Sequence, residues 1–244
     1  MNHFQVDPEV CQHFPGMRLV IAVAEGLDNH TARAPVKELW QQSWENVAQL
    51  GIEDARAHPY VKAWRENFAA LGVSMKRFPT SIEAMLRRAL KGGDVFSINP
   101  LVDFYNALSL QHICPAGAFD LDALDQSLAL RMTTGDERFT ALDATEPVTV
   151  PAGEVAYTSG ADVLTRHFMW RQSRLGLVTP HSTRIFLVSE IPGAAGEAVA
   201  EAMRGSMTAG LRDLFGVPCQ SFVMDTDQAD LCIRNSPESI QACP

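Results

Sequence analysis

The chain opens with an unbroken apolar run at residues 17–24 (MRLVIAVA), closed by Gly26, which predicts a buried strand. Helical spacing follows. Leu39, Val47 and Leu50 mark a helix over 35–51, and Val61, Trp64, Phe68 and Leu71 another over 60–72, where Gly72 is placed to end it. Thr80 and Glu83 form a capping-box pattern ahead of the stripe Ile82, Met85, Leu86 and Leu90, which Gly92 and Gly93 stop. Asn99 as N-cap and Pro100 at the first helical position start a helix over 99–111. On it, Asn99, Asp103 and Asn106 share one stripe.

Beyond residue 128 the pattern shortens to strand length, at 128–132, 137–142, 154–157 and 184–190, separated by turns rich in Gly, Pro and Asp. A helix over 194–215 carries Val199, Met203, Met207, Leu211 and Leu214 on one face, and 219–224 predicts a last strand. With 244 residues, 46% of them hydrophobic, and no repeats or linkers, these elements predict one α/β domain over residues 1–244.

The net charge of −9 argues against a general nucleic-acid binder. A local basic patch nevertheless stands between residues 60 and 93, where Lys62, Arg65, Lys76, Arg77, Arg87, Arg88 and Lys91 face only Glu66 and Glu83. Either it is a solvated helical face or it meets phosphate. No apolar run of about 18 residues occurs and the N-terminus lacks a secretory pattern, so a cytoplasmic protein without membrane attachment is expected. The five scattered cysteines read as isolated reduced thiols, with no metal-ligand spacing. Nucleophile-elbow, P-loop, dinucleotide and HExxH motifs are absent. Cys114, beside His112, reads as a buried structural thiol, and His181 in TPHST as a loop histidine with at most a minor role in orienting water or substrate.

INPLVDFYNALSLQHICPAGAFDLDAL, followed by LALRMTTGDERFTAL, VPAGEVAY, VLTRHFMWRQS and Thr183 in STRIFLV, resembles the editing domain of the phenylalanyl-tRNA synthetase beta subunit. The likeness covers roughly residues 80–190, in family order and spacing. RFPTSIEAMLRRALKGGDVFSINPLVDFYN resembles the free-standing relatives more closely still, including those that clear canavanyl-tRNA for arginine.

The resemblance implies a mixed, largely antiparallel sheet with flanking helices, and a deacylase that opens the ester between an amino acid and the terminal ribose of tRNA, without cofactor, metal or obligatory protein partner. Such sites are needed because a synthetase pocket gains only about 1–3 kcal/mol from one methylene. The ester is already activated, so orienting water and polarising the carbonyl suffice. The resemblance gives catalytic roles to Asn106 and Thr183, and surrounds the aminoacyl group with Asn99, Asp103, Asp120, Glu154, Arg171 and Gly117. For Asn99, helix capping competes with that role. Arg171 binds either terminal phosphates or a pocket carboxylate. Arg87, Arg88 and Lys91 become the tRNA-contacting cations, with tRNA for arginine the suggested partner.

One departure stands out. The synthetase-attached pocket has a His directly before the AFDLD turn, where this chain has Gly117, and the acidic residue that grips a tyrosine hydroxyl there finds no counterpart. Both changes disfavour mischarged tyrosine. A cationic arginine analogue would instead require a carboxylate, for which Asp103, Glu154 and Asp120 are candidates. Two rivals share the fold expectation, a tRNA- or amino-acid-binding module without hydrolysis and a small-ester hydrolase that never meets RNA.

Overall fold

The computed structural model describes residues 3–124 and 127–225, together with the backbone of two short strands at Asp230–Cys232 and Gln241–Ala242. After β1 (His3–Val6) and α1 (Pro8–His13), the apolar run forms β2 (Arg18–Glu25). Leu19, Ile21 and Val23 enter one core cluster while Val20, Ala22 and Ala24 enter another. Burial on both faces explains why the run does not alternate with polar residues.

The helix expected over 35–51 is α2 (Ala34–Glu45), which tightens into a 3-10 turn at Asn46–Leu50 and ends at Gly51 with φ 65°. α3 (Pro59–Ala70) and α4 (Ser81–Leu90) follow. Thr80 caps α4 by accepting from the Glu83 N–H at 3.3 Å. The Glu83 carboxylate does not return to complete the box, because Arg65 holds both its oxygens at 2.8 and 3.1 Å. In α5 (Pro100–His112) every residue from Leu101 to Leu110 is buried, so this helix runs through the interior rather than over it.

The segment expected as an AFDLD turn is instead largely a strand, β3 (Ala116–Asp120), followed by one 3-10 turn at Leu121–Ala123. Next come β4 (Leu128–Met132), β5 (Arg138–Phe139), β6 (Val148–Thr149), β7 (Val155–Ser159), β8 (Asp162–Arg166), β9 (Arg171–Gln172) and β10 (Arg184–Ile191). The chain ends with α6 (Gly196–Phe215), β11 (Cys219–Met224), β12 (Asp230–Cys232) and β13 (Gln241–Ala242). The strand expected over 137–142 shrinks to β5 and an isolated bridge between Ala141 and Ser173.

Among the described residues the strands form two sheets rather than one. The larger is mixed, in the order β13-β12-β1-β4-β7-β8-β5-β6 with β9 added to β8; its parallel pairs are β1 with β4 and β5 with β8. The smaller, β11-β2-β10-β3, is antiparallel throughout. The architecture is thus mixed α/β, largely antiparallel, with flanking helices.

Phe4, Tyr157 and Phe168 from the larger sheet's side meet Phe119 and Phe186 of the smaller sheet in one aromatic cluster. α5 and α6 cover the smaller sheet's other face. Their approach requires Gly210, where a Cβ would lie 2.2 Å from the Phe104 ring. No helix among the described residues is long and apolar enough to cross a membrane. Cys114 and Cys219 are free thiols, while Cys243 and the Cys232 side chain lie outside the described residues.

Candidate active site

A cavity of about 280 Å³ opens where the two sheets part, with α5 on one side, β3 and β10 beneath, and the turn between β8 and β9 opposite. Most of its wall is apolar, from Met85, Val102, Phe119, Phe168, Met169 and Trp170. Such a lining with few polar groups suits recognition of a small organic moiety.

Asn106 reaches this cavity from the middle of α5. It is 9% exposed, and its amide makes no hydrogen bond to protein among the described residues. The amide is therefore available to a ligand carbonyl. Gly117 lies across from it on β3, paired with Val188, and no atom stands within 4 Å of where a Cβ would be. Any side chain at 117 would enlarge into open space.

Glu190 stands in the cavity wall near the end of β10 and is 3% exposed. Its Oε1 accepts a hydrogen bond from the Tyr157 hydroxyl at 2.7 Å. Burial raises its pKa to about 8 against the opposing pull of that hydrogen bond, so near neutrality the carboxyl favours its protonated form. Burial likewise pushes the Tyr157 phenol up, and the Glu190 charge adds to the effect. The sequence pointed to Asp103, Glu154 or Asp120 for a pocket carboxylate, not to Glu190. The signal was present in RIFLVSEI, where strand alternation puts Glu190 on the same face as Phe186 and Val188.

The opposite wall is held by a second buried carboxylate. Glu154 accepts from Arg166 Nε at 2.9 and 3.1 Å, from Arg166 Nη2 at 2.5 Å and from the His167 N–H at 2.8 Å. These bonds brace a turn in which His167 and Phe168 adopt φ of 43° and 33°, a left-handed backbone that such side chains rarely take. The turn then delivers Phe168, Met169 and Trp170 to the cavity. Glu154 itself does not line it.

The remaining sequence candidates separate. Asn99 caps α5, accepting from Val102 N–H at 3.0 Å and from Asn29 Nδ2 at 3.0 Å. Asp103 accepts from Ser97 Oγ at 2.5 Å and Ile98 N–H at 3.0 Å, which closes the loop before that helix. Both face a second cavity beyond Ile98. The single stripe read from the helical spacing therefore splits, with Asn106 alone of the three in the first cavity.

Asp120 accepts from Ser182 Oγ at 2.5 Å and Asp122 N–H at 3.0 Å, at the far end of β3. Thr183 is exposed there, 3.4 Å from Asp122. Seven residues along an extended strand separate Thr183 from Glu190, on the order of 20 Å. The geometry does not bring Thr183 to Asn106. Arg171 sits at the exposed edge on β9, paired with Asp143 at 2.6 Å, and Arg171 too lies outside the cavity.

The basic patch also divides. Arg88 remains exposed but lies against the loop before α5, 4.7 Å from the Phe96 ring centroid and hydrogen-bonded to the Asp94 carbonyl at 2.9 Å. Arg87 and Lys91 instead join Lys76, Arg56 and Arg65 around a groove on the other side of α4. There Arg56 is held by Asp54 and Arg65 by Glu83, whereas Arg87, Lys91 and Lys76 have no carboxylate partner among the described residues. Among those residues no cluster of His, Cys, Asp and Glu could hold a metal ion.

Cys114 is fully buried, with its thiol pushed upward chiefly by desolvation, as befits a packing residue. His181 gains a partner that its sequence context did not reveal, since its ring stacks on His30 at 6.0 Å and 13°.

The chain shares 41% identity over 61 residues with the phenylalanine–tRNA ligase beta subunit of Photorhabdus laumondii, a match that spans 25% of this chain and 8% of that protein. Among solved structures it matches an N-terminal fragment of the phenylalanyl-tRNA synthetase beta subunit from Pyrococcus horikoshii. That match has a TM-score of 0.49 and 13% identity, over 91% of this chain and 53% of the fragment. The family model described as the B3/4 domain matches residues 63–204, more than half of the chain and a span that holds every residue lining the first cavity. The chain belongs to the B3/4 domain family.

Proposed function

We propose that this protein hydrolyses the ester of a mischarged tRNA in trans, and that its preferred substrate carries a cationic arginine analogue, canavanyl-tRNA for arginine. The observation that carries this reading is Glu190, a buried carboxyl in an otherwise aromatic and aliphatic cavity. A guanidinium-like group entering beside it would draw the carboxyl into its ionised form and gain charge-assisted hydrogen bonds. Tyr157 holds one carboxyl oxygen and so fixes its direction. The open space over Gly117 gives a long side chain room to reach it.

Catalysis in this reading needs no nucleophile from the protein. Asn106 donates from its amide to the ester carbonyl and stabilises the oxyanion that forms as water adds, while the apolar wall limits how the substrate can sit. The adding water gives up a proton to solvent, the carbon–oxygen bond to the ribose breaks, and the ribose oxygen leaves as a hydroxyl after taking a proton from solvent. Glu190 takes no part in that proton transfer. Its role is selection. The reading places the protein in the cytoplasm with tRNA as its partner, the backbone resting on Arg87, Lys91 and Lys76.

The test is a panel of mischarged tRNAs, including canavanyl-tRNA for arginine and tyrosyl-tRNA for phenylalanine, incubated with the wild-type protein, Asn106→Ala and Glu190→Gln. Selective release of the cationic amino acid is expected, with kcat reduced about 10²-fold in Asn106→Ala. Binding of aminoacyl-tRNA with no ester loss across the panel would overturn the enzyme reading in favour of a binding module.

A further inference from the structure

The second cavity, about 310 Å³, adjoins the first and shares the Ile98 side chain with it. Ile98 is 63% exposed, an apolar ridge between two hollows. The two lie along the same helix. Asn99 and Asp103 of α5 face the second and Val102 and Asn106 the first, and Asn99 and Asn106 are about 10 Å apart along the axis.

Three features define what the second cavity can hold. His30 lines it and is backed by the nearly parallel ring of His181, so the pair presents a flat π surface. Arg33 and Lys37, at i and i+4 around the start of α2, stand together on its rim. Lys37 is exposed and has no carboxylate partner among the described residues, whereas Arg33 is paired with Asp28 at 3.4 Å and lies 5.3 Å from the Phe215 ring centroid, its buried Nε making no hydrogen bond. The nearby Asp103 carboxylate is already occupied by Ser97 and the Ile98 N–H. A flat stacking surface, one unpaired cation beside a second that Asp28 holds in place, and a prebuilt polar floor are the chemistry of a nucleoside phosphate.

We propose that this cavity seats the 3′-terminal nucleoside of an RNA strand. Its base lies on His30, its 5′-phosphate meets Arg33 and Lys37, and its ribose crosses Ile98 so that an ester on the ribose enters the first cavity. The naming of an RNA end rests on the deacylase reading above. The cavity's chemistry does not, and His30, Arg33 and Lys37 all precede the segment matched by the family model.

The ring-proton resonances of His30 and His181 in the whole protein are followed during titration with the trinucleotide CCA, 5′-AMP and inorganic phosphate. CCA is expected to shift both histidines saturably, more tightly than 5′-AMP. His30→Ala and Lys37→Glu should each weaken it about tenfold, the loss of one stacked base or one phosphate contact. The same two variants raise KM for mischarged tRNA while kcat holds. Equal shifts with inorganic phosphate alone reduce the site to an anion pocket and overturn the proposal, and 5′-AMP binding as tightly as CCA overturns the strand-end assignment. CCA binding without hydrolysis of any mischarged tRNA leaves this site standing and removes the deacylase reading. Hydrolysis with unchanged KM in the Lys37→Glu, His30→Ala double variant does the reverse.

Discussion

Two buried glutamates, Glu154 and Glu190, stand on opposite sides of the same cavity in opposite circumstances. Around Glu154, Arg166 supplies a fork and the His167 N–H a further donor, so a buried negative charge is matched where it sits. Around Glu190 the side-chain partner among the described residues is a neutral phenol, and burial raises the carboxyl pKa to about 8. The difference separates architecture from recognition. A carboxylate whose partners are complete holds a wall in place, whereas one left short of a cation is able to select for one.

The sharpest way to break the comparison is Glu154→Ala. Removing one partner of a buried pair strands the other, and Arg166, with its side chain 19% exposed, cannot fully reach water. The expected loss is about 3–5 kcal/mol in urea unfolding, together with a loosened cavity wall, because the strained His167–Phe168 backbone loses its brace. A loss below about 1 kcal/mol would show that Glu154 is not structural.

Glu190→Gln should act on ligand rather than fold. The amide oxygen still accepts from Tyr157, so the hydroxyl keeps its partner. Hydrolysis of the cationic substrate is expected to fall about 10²-fold, by loss of a charge-assisted contact worth about 1.5–3 kcal/mol.

The stability of the two proteins should diverge with pH in a definite direction. The folded-state pKa of Glu190 lies above its unfolded value of 4.5, so the wild-type contribution is complete below about 4.5 and is lost as pH rises through about 8. Glu190→Gln lacks that decline and should gain on the wild type across this window. Parallel curves of unfolding free energy between pH 5 and 9 would mean that Glu190 is not held protonated.

How far the sequence revealed these regions follows from where each signal was stored. β2, α4 and α5 were legible because local periodicity and caps determine them, and Asn106 on α5 and Gly117 on β3, which both line the cavity, were singled out by the family resemblance. β3 itself was not legible. AGAFD has low intrinsic strand preference and becomes a strand through its pairing with β10. Asp103, Asp120 and Glu154 were candidates because a cationic substrate would need a carboxylate, yet their partners Ser97, Ser182 and Arg166 complete them in three dimensions. Glu190 was passed over as the end of an apolar strand, and only the sheet-to-sheet gap shows what it faces. Thr183 was drawn into the site by its motif and is placed elsewhere by the length of β10.

The smallest effect is expected at Arg171, which extends the comparison to the surface. Arg171 meets Asp143 by a single guanidinium nitrogen, and the two side chains are 43% and 76% exposed. With both charges largely hydrated, the pair gains little Coulomb energy and loses side-chain entropy, so Arg171→Ala should change unfolding free energy by less than about 0.5 kcal/mol. Because Arg171 lies outside the cavity, turnover of a short amino-acid ester should also be unaffected. A drop of more than about tenfold with full-length mischarged tRNA, absent with the short ester, would instead make Arg171 a phosphate contact. In that case the RNA-contacting surface proposed for the groove of Arg87, Lys91 and Lys76 would extend to the β9 edge.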